Sequence, residues 1–154
     1  MNDVEKILFD TNVLVYAHDR SETVKGPLAK GLLTQIFACG KPLVSIQVLS
    51  EFFWAVTRKI PIPLTNDEAI AEINRLQILS SLIVVTWDVL DRALQFVVNH
   101  SLALWDAQIL AAANLHGAKF ILSEDFQHRQ TLETVTFLNP FAPDFDLTEL
   151  IATP

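Results

Sequence analysis

Asp10, Glu51, Asp106 and Asp125 lie far apart along the chain, yet each stands where a strand ends or a helix begins, beside strongly apolar neighbours. If a fold gathers them at one edge, two carboxylates about 4 Å apart repel by roughly 4 kcal/mol at an effective dielectric of about 20, and four repel several times over. Such a cluster persists only by protonation or by holding a divalent cation. Hard ions such as Mg²⁺ or Mn²⁺ suit it, because they take carboxylate oxygens and several waters in octahedral geometry. A metal held this way makes a nucleophile out of a bound water, so no protein nucleophile is required.

Asp106 carries the most weight. On a helix its neighbours three, four and seven positions on are Ile109, Leu110 and Ala113, which puts it on the apolar stripe, with no lysine or arginine nearby in sequence to neutralise it. Each acid also has an ordinary role open to it. Asp10 fits a helix cap, Glu51 a solvated helix position, Asp106 a first-turn carboxylate favoured by the helix dipole, and Asp125 a turn residue.

Other chemistries find no support in the residues. Gly26 and Gly31 have the first part of a phosphate-loop spacing, but Leu32 and Leu33 stand where lysine and a hydroxyl residue belong. No serine sits between glycines as in a nucleophile elbow. Cys39 is the single cysteine, which rules out an intrachain disulfide and a thiolate zinc cage, and His18, His100, His116 and His128 lack metal-finger spacing.

The elements that must position the acids alternate. Short apolar runs at 6–10, 43–45, 82–85, 120–122 and 135–138 read as strands, and helical patterns fill the intervals. The segment from Ile46 to Lys59 sets Ile46, Leu49, Phe52, Phe53 and Val56 on a core face and Gln47, Ser50, Glu51, Trp54 and Arg58 on another stripe. Leu28, Leu32, Ile36 and Phe37 mark the helix before it, and Leu90, Ala93, Leu94 and Val97 a later one. Thr65 with Glu68 makes a capping box, Thr86 a cap, and Gly117 a helix stop. Strands alternating with helices predict a parallel sheet with right-handed crossovers. In such sheets ligands bind beyond the carboxyl ends of the strands, where Asp10 and Asp125 fall. The residues from Asn139 onward, rich in proline and phenylalanine, are expected to pack as an extended arm.

With 154 residues, 51% of them apolar, the chain is expected to form one domain, 1–154, with 139–154 as its arm. A formal charge of −7 excludes binding of nucleic acid by bulk electrostatics. No apolar run approaches the roughly 20 residues of a membrane span, and the N-terminus lacks the pattern of a secretory signal, so the expected location is the cytoplasm.

The stretches Phe9-Asp10-Thr11-Asn12-Val13-Leu14, Ser50-Glu51-Phe52, Trp105-Asp106-Ala107 and Leu122-Ser123-Glu124-Asp125-Phe126 resemble, in order and approximate spacing, the acidic motifs of PIN-domain ribonucleases, above all the bacterial VapC-type toxins. The resemblance runs from about Ile7 to Pro140. It implies a three-layer α/β/α fold with a five-stranded parallel sheet and a metal-dependent endonuclease acting on RNA. By that likeness Asp10, Glu51 and Asp106 hold one or two Mg²⁺ or Mn²⁺ ions, Asp125 completes the set, and Ser123 and Asn12 support and orient the ligands. It also implies a homodimer and a small antitoxin that blocks the cleft. One departure concerns the last motif: Phe126 follows Asp125 at once and Gln127 stands at the second acidic position, which leaves Glu124 as the alternative to Asp125.

In a site of this kind the backbone phosphates fall to scattered cations, for which Arg58, Lys59, His128 and Arg129 are the candidates. Phe52, Phe53 and Trp54 offer a stacking platform for bases, against the more ordinary reading of helix aromatics as core. Two other function classes remain. Phosphotransfer through Asp10 favours a second aspartate two residues on, where Asn12 stands, and a non-catalytic nucleic-acid-binding or scaffold module would keep the fold without the reaction.

Overall fold

Ile7, Leu8 and Phe9 are fully buried, which a strand permits only when both faces of its sheet are covered. They form β1 (Lys6–Phe9) in a computed structural model that describes residues 4–151. In chain order there follow α1 (Thr11–His18), α2 (Lys25–Cys39), β2 (Lys41–Ser45), α3 (Ile46–Arg58), α4 (Asn66–Leu79), β3 (Ser81–Ile83), α5 (Trp87–His100), α6 (Leu104–Leu115), β4 (Ala118–Leu122), β5 (Thr131–Leu132) and β6 (Val135–Leu138). The sheet order is β3-β2-β1-β4-β6-β5. Among the described residues no helix is long and apolar enough to cross a membrane.

Five strands run parallel as expected, and the structure adds a sixth. β5 pairs antiparallel with β6 through Thr131↔Thr136 and Leu132↔Val135. Two residues between turn signals carry too little periodicity to be read as a strand.

The order of the sheet locates a crevice. From β1 the chain steps outward to β2 and then β3, and afterwards crosses back to β4 on the other side of β1. Right-handed crossovers then put α1 to α4 on one face and α5 with α6 on the other. The packing agrees: α1 contacts α2 and α3, α3 contacts α4, and α5 packs on α6, which lies against β4 and β6. The direction of winding reverses between β1 and β4, so the carboxyl ends of these two strands open into a crevice.

Caps hold the helices that reach it. Ser45 Oγ accepts from Val48 N at 3.1 Å to start α3, and Thr65 with Glu68 forms the expected capping box of α4. Gly117 ends α6 at φ 70°, a left-handed position that favours glycine. Gly40 is needed for another reason, since a Cβ there would stand 2.7 Å from the Ile36 carbonyl oxygen.

Two helix faces are rotated from the expected ones. On α2 the buried stripe is Ala29, Leu32, Leu33 and Ile36, with Leu28 exposed; on α5 it is Val89, Ala93 and Phe96, with Leu94 exposed. Small residues where helices cross closely can claim the core position from a neighbouring leucine. The residues after Asn139 also depart from an extended arm. They turn at Ala142 and Phe145, wind into one 3-10 turn at Leu147–Glu149, and bury Leu150 against the core. Residues 152–154 of that arm lie outside the described residues.

Candidate active site

Asp10 follows directly on β1 and caps α1, its Oδ1 accepting from Thr11 N at 2.7 Å. Only 5% of its surface is exposed. Ser123, fully buried just past β4, donates its hydroxyl to Asp10 Oδ2 at 2.6 Å. The two strand ends on either side of the crevice are thus joined by a side-chain hydrogen bond as well as by Asp10 N donating to the Leu122 carbonyl at 2.9 Å.

Asn12 fixes the far wall. Its amide nitrogen donates to Asp125 Oδ2 at 3.0 Å and lies 3.3 Å from Ser123 Oγ and 3.5 Å from Asp10 Oδ2. Asp125 N in turn donates to Ser123 Oγ at 3.1 Å. Asn12 and Ser123 therefore hold Asp10 and Asp125 in register with each other.

Glu51 is held by two residues that sequence reasoning passed over. Thr11 Oγ1 donates to Glu51 Oε2 at 2.7 Å, and Gln47 Nε2 donates to Glu51 Oε1 at 2.8 Å. Gln47 was expected on the wet stripe of α3 and Ile46 on the core face; the structure buries Gln47 and exposes Ile46. The reason is a polar bridge to α6, in which Gln47 Oε1 accepts from buried Gln108 Nε2 at 2.6 Å and Gln47 Nε2 reaches the Trp105 carbonyl at 3.3 Å. One signal was available, the spacing of four between Gln47 and Glu51, which puts both on one side of a helix turn. Gln47→Leu is expected to destabilise the fold by about 1–3 kcal/mol, because it leaves the Gln108 amide buried without its acceptor. Urea unfolding measures this.

Asp106 lies in the first turn of α6, half-buried. Among the described residues no side chain forms a hydrogen bond or ion pair with it, and the same absence of an ion pair holds for Asp10, Glu51 and Asp125.

All four acids line one cleft of about 340 Å³, together with Thr11, Asn12, Tyr16, Gln47, Trp105 and Ile109, and among the described residues no lysine or arginine lines it. A larger hollow of about 880 Å³ lies elsewhere, between the α1–α2 turn and α4, but it is lined by charges of both signs, among them Arg20, Lys30 and Arg75 with Glu22, Glu68 and Glu72. The smaller cleft is the one with unbalanced charge. Burial, chiefly, pushes the Asp10 carboxyl from 3.8 up to about 6, with the charges of Asp125 and Glu51 adding to it and the Ser123 and Thr11 hydrogen bonds opposing. Burial and then the charges of Asp125 and Glu51 raise Asp106 as well. Neighbouring carboxylates thus add to burial in disfavouring the charged forms of Asp10 and Asp106.

This donor set fits a hard divalent cation. Among the described residues no three acidic, histidine or cysteine side chains already surround one point at ligand distance. Mg²⁺ asks for less, since it commonly binds through one or two carboxylates and keeps waters in its remaining positions.

A family model for the PIN domain matches residues 7–132. The chain belongs to the PIN domain family. Its fold is that of solved toxin structures. VapC20 of Mycobacterium tuberculosis, a sarcin-ricin loop cleaving toxin, superposes with a TM-score of 0.59 at 18% identity, covering 75% of this chain and 86% of that one. A toxin-antitoxin complex from Klebsiella pneumoniae gives 0.60 at 21% identity, covering 88% and 98%. VapBC2 from Rickettsia felis, bound to a DNA fragment from its promoter, gives 0.62 at 12% identity, covering 86% and 96%. Comparison with curated proteins finds no match.

The remaining candidates of this PIN domain are placed as follows. Glu124, the alternative to Asp125, turns away from the cleft: Lys25 Nζ donates to its Oε2 at 2.7 Å and the Tyr16 hydroxyl to its Oε1. Arg129 is engaged by Asp144 and Glu149, and His128 Nδ1 accepts from Asn139 N at 2.9 Å. His128 Nε2 lies 3.3 Å from Asp144 Oδ1 without hydrogen-bond geometry. Both side chains fasten the C-terminal segment and neither lines the cleft. Arg58 and Lys59 are exposed at the end of α3, where Arg58 lies 4.5 Å from the centre of the Trp54 ring. Of the three aromatics on α3, Phe52 is core, Phe53 half-buried and Trp54 exposed.

Proposed function

We propose that this PIN domain is a divalent-metal-dependent endoribonuclease and the toxin of a toxin-antitoxin pair. One observation carries the reading: four carboxylates from four separate elements line a single cleft without a basic side chain to neutralise them. Asp10, Glu51, Asp106 and Asp125 would hold one or two Mg²⁺ or Mn²⁺ ions. When bound, the metal supplies a water of lowered pKa and neutralises charge on the scissile phosphate.

The protein's own residues supply orientation. Thr11 and Gln47 engage one oxygen each of Glu51, so that carboxylate keeps a fixed direction. Ser123 and Asn12 do the same for Asp10 and Asp125. Partners that orient a ligand in this way typically govern about 10- to 100-fold in metal affinity or activity. Arg58 and Lys59 at the end of the helix that carries Glu51, with His128 and Arg129 after Asp125, are the cations proposed for the substrate backbone.

Solved structures of the same fold, among them the Klebsiella pneumoniae complex and VapBC2, are toxin-antitoxin assemblies, which supports a small antitoxin as partner. A homodimer is part of the same reading.

The test is direct. Purified protein incubated with RNA and Mn²⁺ should cut it, and excess chelator should stop the cutting. RNA left intact with every divalent metal tried would sink the nuclease reading and favour a non-catalytic nucleic-acid-binding module. A short reading frame beside the gene, whose product co-purifies and inhibits cleavage, tests the antitoxin.

A further inference from the structure

A cleft lined by four carboxylates and no basic side chain, in a chain of net charge −7, has little electrostatic hold on a polyanion beyond the ions it binds. Affinity for the rest of the substrate then gains most from an interaction that does not depend on charge. Trp105 supplies a candidate at the cleft itself. It precedes Asp106 on α6, lines the same cleft as Asp10, Glu51 and Asp125, and is 62% exposed.

Its surroundings set it apart from the other exposed indole near the acids. Trp54 has the Arg58 guanidinium over its ring, whereas among the described residues no aromatic ring or cation stacks on Trp105. The backbone beneath it is anchored, because the Trp105 carbonyl accepts from Gln47, the residue that also holds Glu51. The residue that carries this flat apolar face is therefore tied through its backbone to the network that orients Glu51. Base–aromatic stacking beside a backbone grip is how single-stranded nucleic acid is commonly held.

We propose that Trp105 is a stacking platform for a base next to the scissile phosphate. This rests on the nuclease reading above. A base within a duplex has both faces covered by its neighbours, so a ring at the cleft rim can reach a base face only where the strand is unpaired or splayed.

The experiment uses the full chain with Trp54→Phe and Trp87→Phe, which leaves Trp105 as the remaining one of three tryptophans. A short unpaired 2′-O-methyl oligonucleotide, which cannot be cut, is titrated in Mn²⁺ and indole fluorescence followed. The expected result is quenching on binding. Trp105→Ala, read by anisotropy of a labelled oligonucleotide, should weaken binding by about 10- to 100-fold, while Trp105→Phe should stay within about threefold. A hairpin stem of the same composition should bind as weakly as the alanine variant.

Unchanged affinity in Trp105→Ala, or stem and unpaired RNA binding alike, overturns the proposal. So does a change of oligomeric state in Trp105→Ala by light scattering with RNA affinity intact, which assigns the ring to a protein interface. Calorimetric titration of Mn²⁺ alone separates the two readings: loss of the stacking effect in a protein that binds Mn²⁺ overturns only Trp105, whereas failure to bind Mn²⁺ or cut RNA overturns the nuclease reading and this one with it.

Discussion

Asp106→Asn is expected to lower Mn²⁺ affinity by at least about 100-fold and to abolish RNA cleavage, while the metal-free protein stays as stable as before or gains stability. Removing a group that merely orients a ligand typically costs about 10- to 100-fold, so removing a ligand should exceed that range. The stability half of the expectation comes from the surroundings of Asp106. No described residue donates to its carboxylate, and both burial and the charges of Asp125 and Glu51 oppose its ionised form. An uncharged amide of the same size relieves that opposition. Calorimetry with Mn²⁺ and thermal melting in chelator together give two readouts of opposite sign, which a general folding defect cannot mimic. Unaltered Mn²⁺ affinity in this variant removes Asp106 from the ligand set.

Asp10→Asn should stabilise the metal-free protein above neutral pH by up to about 3 kcal/mol, and the gain should vanish on acidification. The folded carboxyl, raised from 3.8 to about 6, holds its proton more tightly than the unfolded one. Stability contributed by that proton is fully present below pH 3.8 and is lost as pH rises through about 6. The difference between the two values corresponds to about 3 kcal/mol. Asparagine does not ionise, so the stability difference between variant and wild type should be near zero below about pH 4 and complete above about pH 7. For a chain of this length the largest gain amounts to roughly 6 to 12 °C in melting temperature. Saturating Mn²⁺ should reverse the order, since only the wild-type carboxylate gains from the cation. A difference that does not change with pH would show that Asp10 is not held at a raised value.

The acids themselves were legible because they stand at element junctions, and junctions can be read from local signals. A short apolar run followed by a helix cap marks Asp10, and Asp106 betrays itself by sharing a stripe with Ile109 and Leu110. Both lie on the cleft. The parallel strands were legible for the same reason, since β1, β2, β4 and β6 are dense in buried apolar residues. β5 was not, because two residues gain their strand conformation only from pairing with β6.

Side-chain assignments that depend on what lies across the gap fared differently. Gln47 looks like a solvent residue on its own helix and is buried because Gln108 approaches from another. Arg129 and His128 meet Asp144, Glu149 and Asn139 because the C-terminal segment folds back onto them, a pairing that local sequence does not show. Between Asp125 and Glu124 sequence offers two neighbouring carboxylates, and the contacts of Lys25 and Tyr16 turn Glu124 out of the cleft.

Alone, the sequence determined the alternation of strands and helices, because residue types and local periodicity set which acids sit at the ends of strands and the starts of helices. Only the tertiary structure decided which of those acids share a cleft, which polar groups hold them and which cations are already engaged. Hydrogen bonds and ion pairs between distant segments act over a few ångströms, and proximity at that scale is a property of the packed fold.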